Sequence, residues 1–114
     1  MTDIEAIRIE MLNEAATAAK ELFNTKGTDH WGACGFAWTT IYPEHKGNTK
    51  AGKAERKIIE QLGFSKDWTG KAYQLWDPAN YGGQNVDIKE AGAIAAADVL
   101  KRYGFKAYAS SRLD

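Results

Sequence analysis

The stretch Cys34-Gly35-Phe36-Ala37-Trp38-Thr39-Thr40-Ile41-Tyr42 decides the fold. In an extended chain, alternation sends Cys34, Phe36, Trp38, Thr40 and Tyr42 to one side and Gly35, Ala37, Thr39 and Ile41 to the other. Neither side carries a charge, the pattern of a central strand covered on both faces. That reading makes Trp38 a core residue and Cys34 a buried thiol. Pro43 stops the strand.

Helical patterns lie on both sides of this strand. Residues 3–24 place Ile4, Ile7, Met11, Ala15, Ala18 and Leu22 at three- and four-residue steps, with Thr2 and Glu5 as a capping box and Gly27 as the terminator. Residues 50–62 put Ala51, Ala54, Ile58, Ile59 and Leu62 on one side and Lys50, Lys53 and Lys57 on another, and Gly63 ends the helix. A strand is expected at 71–76, ended by Asp77-Pro78. Asp87, with Glu90, is expected to cap a third helix to about Tyr103, with Ile88, Ala91, Ala95, Val99 and Tyr103 facing inward. Gly92 and the alanines around it make this helix thin enough to lie close to a sheet. Gly104 closes it, and residues 105–110 form the last strand. The order α-β-α-β-α-β predicts a small α/β domain over 1–114: a three-stranded, at least partly parallel sheet packed by three helices.

Composition sets the outer bounds. The 114 residues fit one domain, and 44% hydrophobic with 26% charged residues excludes a disordered or collagen-like chain. The single Cys34 excludes an internal disulfide. Met1 to Glu10 is acidic, the wrong sign for a targeting peptide, and no apolar run is long enough to span a membrane. The expected location is cytoplasmic, with no membrane partner. The formal net charge is zero, but its distribution is uneven. Residues 1–24 carry Asp3, Glu5, Glu10, Glu14 and Glu21 against Arg8 and Lys20. Residues 43–57 carry Lys46, Lys50, Lys53, Arg56 and Lys57 against Glu44 and Glu55.

The chemistry-bearing motifs are few. Gly47 to Lys53 satisfies G-x-x-x-x-G-K between a strand and a helix, but Ala54 supplies no hydroxyl for magnesium, so nucleotide hydrolysis is not expected. What survives is an anion site at a lysine-flanked helix start, made by Lys46, Lys50, Lys53, Arg56 and Lys57. If the sheet is parallel, the polar loop with Asp77, Asn80, Gln84 and Asn85 leaves the same edge and joins that site. The aromatics of the middle of the chain offer stacking surfaces for single-stranded bases, with Trp31, Trp68 and Tyr81 as the surface candidates. Cys34 with His30 or His45 makes neither a convincing thiol catalyst nor a zinc site. No cofactor or metal is expected, and the reading leans away from an enzyme.

Residues Gly35 to Pro43, the run Lys46-Gly47-Asn48-Thr49-Lys50, Leu75-Trp76-Asp77-Pro78 and Gly82 to Asp87 resemble a set of small uncharacterised proteins from tailed-phage genomes. The resemblance covers residues 30–114 and leaves out the acidic first helix. It implies a phage-encoded protein acting in the host cytoplasm. It implies no activity, cofactor or site residue. Two functions remain: a binder of a polyanion, nucleic acid or phosphorylated ligand through residues 45–57, or a protein-interaction module, homodimeric in one version.

Overall fold

Local chemistry sets the ends of the helices. In the computed structural model, which describes residues 3–26 and 33–113, helix α1 runs Ile4–Lys26, α2 Lys50–Gln61 and α3 Val86–Arg102. The Asp3 carboxylate accepts the Glu5 amide at the start of α1. The expected roles of Thr2 and Gly27 lie outside the described residues. Thr49 caps α2, its hydroxyl accepting the Gly52 amide at 3.0 Å. The cap of α3 is Asn85, not the expected Asp87: Asn85 Oδ1 accepts the Ile88 amide at 3.1 Å. Asp87 sits inside the first turn, where a carboxylate suits the helix dipole. Gly63 and Gly104 leave α2 and α3 at φ of 101° and 90°, the left-handed geometry expected of them.

Four strands form the sheet, not three: β1 (Gly35–Tyr42), β2 (Ser65–Lys66), β3 (Tyr73–Trp76) and β4 (Lys106–Leu113). Their spatial order is β2-β3-β1-β4, and every neighbouring pair is antiparallel. The expected parallel pairing is therefore corrected, for a definite reason. β1 and β2 point the same way, and so do β3 and β4, as strands joined through a helix should. Each crossover, however, jumps over an antiparallel strand, giving the split β-α-β arrangement. β2 escaped notice because two residues carry no periodicity. Right-handed crossovers, the rule for such units, put both crossover helices on one side of the sheet.

That side holds the core. Ala37, Thr39 and Ile41 of β1, Tyr73 of β3 and Ala107 of β4 are buried there with Ala93, Ala96, Ala97, Val99 and Leu100 of α3. α1 adds Ile7, Met11 and Ala15, α2 adds Ile59, and Leu62 follows at its C-terminal cap. The thin α3 does lie close to the sheet: Thr39 Oγ1 donates to the Ala93 carbonyl at 2.9 Å. A Cβ at Gly92 would stand 2.6 Å from that of Ala79, so glycine lets the 79 loop approach. Of the inward set expected for α3, Ile88 and Val99 are buried, while Tyr103 is exposed and donates its hydroxyl to Glu10 on α1. Arg102 bonds both Glu10 and Glu14 at 2.9 Å, so the acidic first helix is clasped to α3.

The opposite side of the sheet is open, and here Trp38 departs from expectation. It is half-buried and stacks on Trp76, with ring centroids 4.6 Å apart. Lack of charge on both sides of β1 marks one covered face and one face whose rings cover each other. Cys34 is exposed, not buried: it precedes β1 and forms an isolated bridge with Asn85, outside the sheet. Among the described residues no helix is long and apolar enough to cross a membrane.

Candidate functional site

The loop that resembled a phosphate cradle is filled by its own chain. A Cβ on Gly52 would stand 1.8 Å from the Lys46 carbonyl oxygen, so the glycine permits close backbone approach, but of this loop and not of a phosphate. Arg56 Nη1 donates to the His45 carbonyl at 3.0 Å and to the Gly52 carbonyl at 2.9 Å. The Glu55 carboxylate accepts the amides of Glu44 and His45. Arg56 and Glu55 thus staple residues 44–46 to α2, and Thr49 occupies the Gly52 amide. Lys46, Lys50, Lys53 and Lys57 remain exposed. Glu60 shares a shallow depression with Lys53 and Lys57, which dilutes the positive row.

Asn80, Gln84 and Asn85 do not join these lysines. The loops after β1 and after β3 leave antiparallel strands, so they lie at opposite ends of the sheet. The polar residues there serve the turn. Asn80 adopts φ 53° and donates its amide to the Asp77 carbonyl; the Gln84 carbonyl accepts the Gly35 amide; Asn85 is 1% exposed and caps α3. Asp77, at φ 45°, is half-buried; desolvation pushes its carboxyl above the ordinary range, opposed by a backbone hydrogen bond from Tyr81 and by the Lys89 charge. His30 and Trp31 lie outside the described residues. No group of potential metal ligands gathers among the described ones. Tyr81 packs against Phe23, whereas Trp68 is 94% exposed on the turn between β2 and β3. The Asp67 carboxylate holds that turn by accepting the amides of Thr69 and Gly70 and the Thr69 hydroxyl, which also keeps the Asp67 pKa low.

The open face of the sheet brings together what the sequence left scattered. Phe36, Trp38, Thr40 and Tyr42 line β1 on this side. Register places Gln74 and Trp76 of β3 beside them, and Lys106, Tyr108, Ser110 and Arg112 of β4 on the other flank. Phe36, Tyr42, Trp76 and Tyr108 are between 37% and 52% exposed. The rings form two groups separated by Thr40. In the first, Phe36 stands edge-on to Trp76, with centroids 6.1 Å apart, and Trp38 stacks behind. The Arg112 guanidinium lies 5.4 Å from the Phe36 ring and 5.8 Å from Trp76; Lys89 Nζ lies 5.3 Å from Phe36. In the second, Tyr42 and Tyr108 meet edge to face at 5.8 Å, with Lys101 Nζ 5.6 Å from Tyr108 and Lys106 paired with Tyr42. None of the four strands contains an Asp or Glu.

The face was concealed in the sequence by pairing that crosses about 70 residues, from Phe36 to Arg112. One local signal pointed to it: large residues alternate with small ones along β1, and only the small ones fit beneath an alanine-rich helix. Comparison with known proteins finds no family model, no curated protein and no solved structure that matches this chain.

Proposed function

We propose that the chain is a nucleic-acid-binding domain whose binding surface is the open face of its sheet. One observation carries the reading: Lys101, Lys106 and Arg112, together with Lys89, whose Nζ also donates to the Gly35 carbonyl, border exposed rings on a face whose strands hold no carboxylate. A phosphate backbone is the polyanion that rewards such a local field even at zero net charge. The acids that balance it lie outside the four strands, on helices and turns, and Glu10 and Glu14 of α1 are engaged by Arg102 of α3. Residues 45–57 rank second, because Arg56 is committed to backbone carbonyls and Glu60 sits among the exposed lysines.

Titration of a labelled oligonucleotide by fluorescence anisotropy at low salt tests the assignment. Contact with about two to four phosphates gives a log-affinity slope against log salt of about −1.4 to −2.8 on a single strand. Lys106→Glu combined with Arg112→Glu is expected to weaken binding about tenfold or more. Lys50→Glu combined with Lys53→Glu is expected to leave most of it. The reverse ranking would move the site to α2, and no binding at low salt would end the reading.

A further inference from the structure

We infer that the open face takes a single strand, with unpaired bases lying on its rings. This deepens the nucleic-acid reading and rests on it. The first reason is the chemistry of the surface. Each ring group offers exposed π-faces or edges together with cations: Phe36 and Trp76 with Lys89 and Arg112, Tyr42 and Tyr108 with Lys101 and Lys106. Rings stack on any base and cations meet the phosphates between bases, the combination that sequence-tolerant single-strand binders use. In a duplex the base faces are already stacked on one another, and the rings would have nothing to meet.

The second reason is size. Strands spaced about 4.8 Å apart make the four-stranded face about 14 Å wide between its outer backbones, before side chains are added. The major groove is about 12 Å wide and admits a helix or a two-stranded ribbon. This face cannot enter it. Along β1, Phe36 and Tyr42 stand at opposite ends of the ring row, a span of about 20 Å. That is room for several nucleotides of an extended strand, in the range of about 4 or more for a single binding module. The two ring groups, parted by the buried Thr40, then act as two stacking stations.

The third reason weighs against a second copy of this chain. A two-fold interface sets the same patch against itself. Docking would bring Lys106 and Arg112 of both copies into one interface with no carboxylate on either set of strands, and like charges oppose such docking.

The test compares dT12, the matching RNA 12-mer and a 12-base-pair duplex by anisotropy, with tryptophan fluorescence as a second readout and polyglutamate as a competitor. Expected are at least about tenfold tighter binding of the single strands than of duplex, and tryptophan quenching on binding. Trp76→Ala and Tyr108→Ala should each weaken single-strand binding about tenfold, while Trp76→Phe retains most of it. The DNA and RNA arms decide which backbone is preferred. Duplex bound as tightly as dT12, and indifferent to Trp76→Ala, would overturn the inference and leave the nucleic-acid reading standing. Equal competition by polyglutamate would also overturn it, because charge alone would then suffice. Failure of all three nucleic acids to bind would remove both.

Discussion

The two faces of β1 sort hydrophobic residues by size in the direction opposite to the usual one. Gly35, Ala37, Thr39 and Ile41 lie beneath α3, while Phe36, Trp38 and Tyr42 lie on the open side. Room between layers explains the small residues around Thr39: an alanine-rich helix brings its backbone so near that Thr39 bonds the Ala93 carbonyl, and bulky rings would not fit at Ala37 or Thr39, whereas Ile41 and Tyr73 fill the inner side farther along. The rings are then left where folding gains least from them. Partly exposed aromatics gathered into one patch mark an interaction surface. On the proposed reading the inner face carries stability and the outer face carries recognition.

Paired truncations break or sharpen this division. Ile41, 1% exposed, anchors the inner face, and Ile41→Ala is expected to cost about 2–5 kcal/mol in denaturant unfolding. Trp76 is 46% exposed and loses mainly its contacts with Trp38 and Phe36, so Trp76→Ala should cost about 1–2 kcal/mol. Oligonucleotide affinity should follow the opposite order, unchanged in folded Ile41→Ala and weakened in Trp76→Ala. If the tryptophan costs as much stability as the isoleucine, the outer face is a core and the division fails.

A smaller effect separates the faces by pH. The Tyr103 hydroxyl first, then Arg102, holds the Glu10 carboxyl below its ordinary range. A depressed carboxyl stabilises the fold above its unfolded pKa, and that contribution disappears as pH falls through the lowered folded value. Glu10→Gln should therefore lower stability above about pH 4.3 and remove the fall in stability that the wild type shows below it. Affinity at the open face, whose strands hold no carboxylate, should stay level between about pH 5 and 8 in the same titrations.

Much of the architecture was legible locally. The three helices, the end of β1 at Tyr42, the terminators Gly63 and Gly104 and the close approach of α3 all follow from periodicity and turn chemistry within short windows. Strand order was not, because an α-β alternation fits a parallel sheet as well as a split one, and a two-residue β2 gives no signal. The expected site suffered from the same gap. Parallel strands would have put Lys50 and Asn85 at one edge, and antiparallel ones put their loops at opposite ends. Gly52 shows a different limit: the need for a missing Cβ was readable, but not that the approaching group is the Lys46 carbonyl. The open face was half-visible in the alternation of β1, yet its cations come from α3 and β4, far along the chain from β1.

The most direct measurement is a 1H–15N NMR titration of the labelled protein with dT12. Trp76 is a built-in reporter, since its indole N–H donates to Gln74 Oε1 at 3.2 Å on the open face. The expected result is movement of the Trp76 and Trp38 indole signals together with the amides of β1, β3 and β4, while the amides of Lys50 to Lys57 stay in place. Shifts confined to residues 45–57, with both indoles still, would contradict the account.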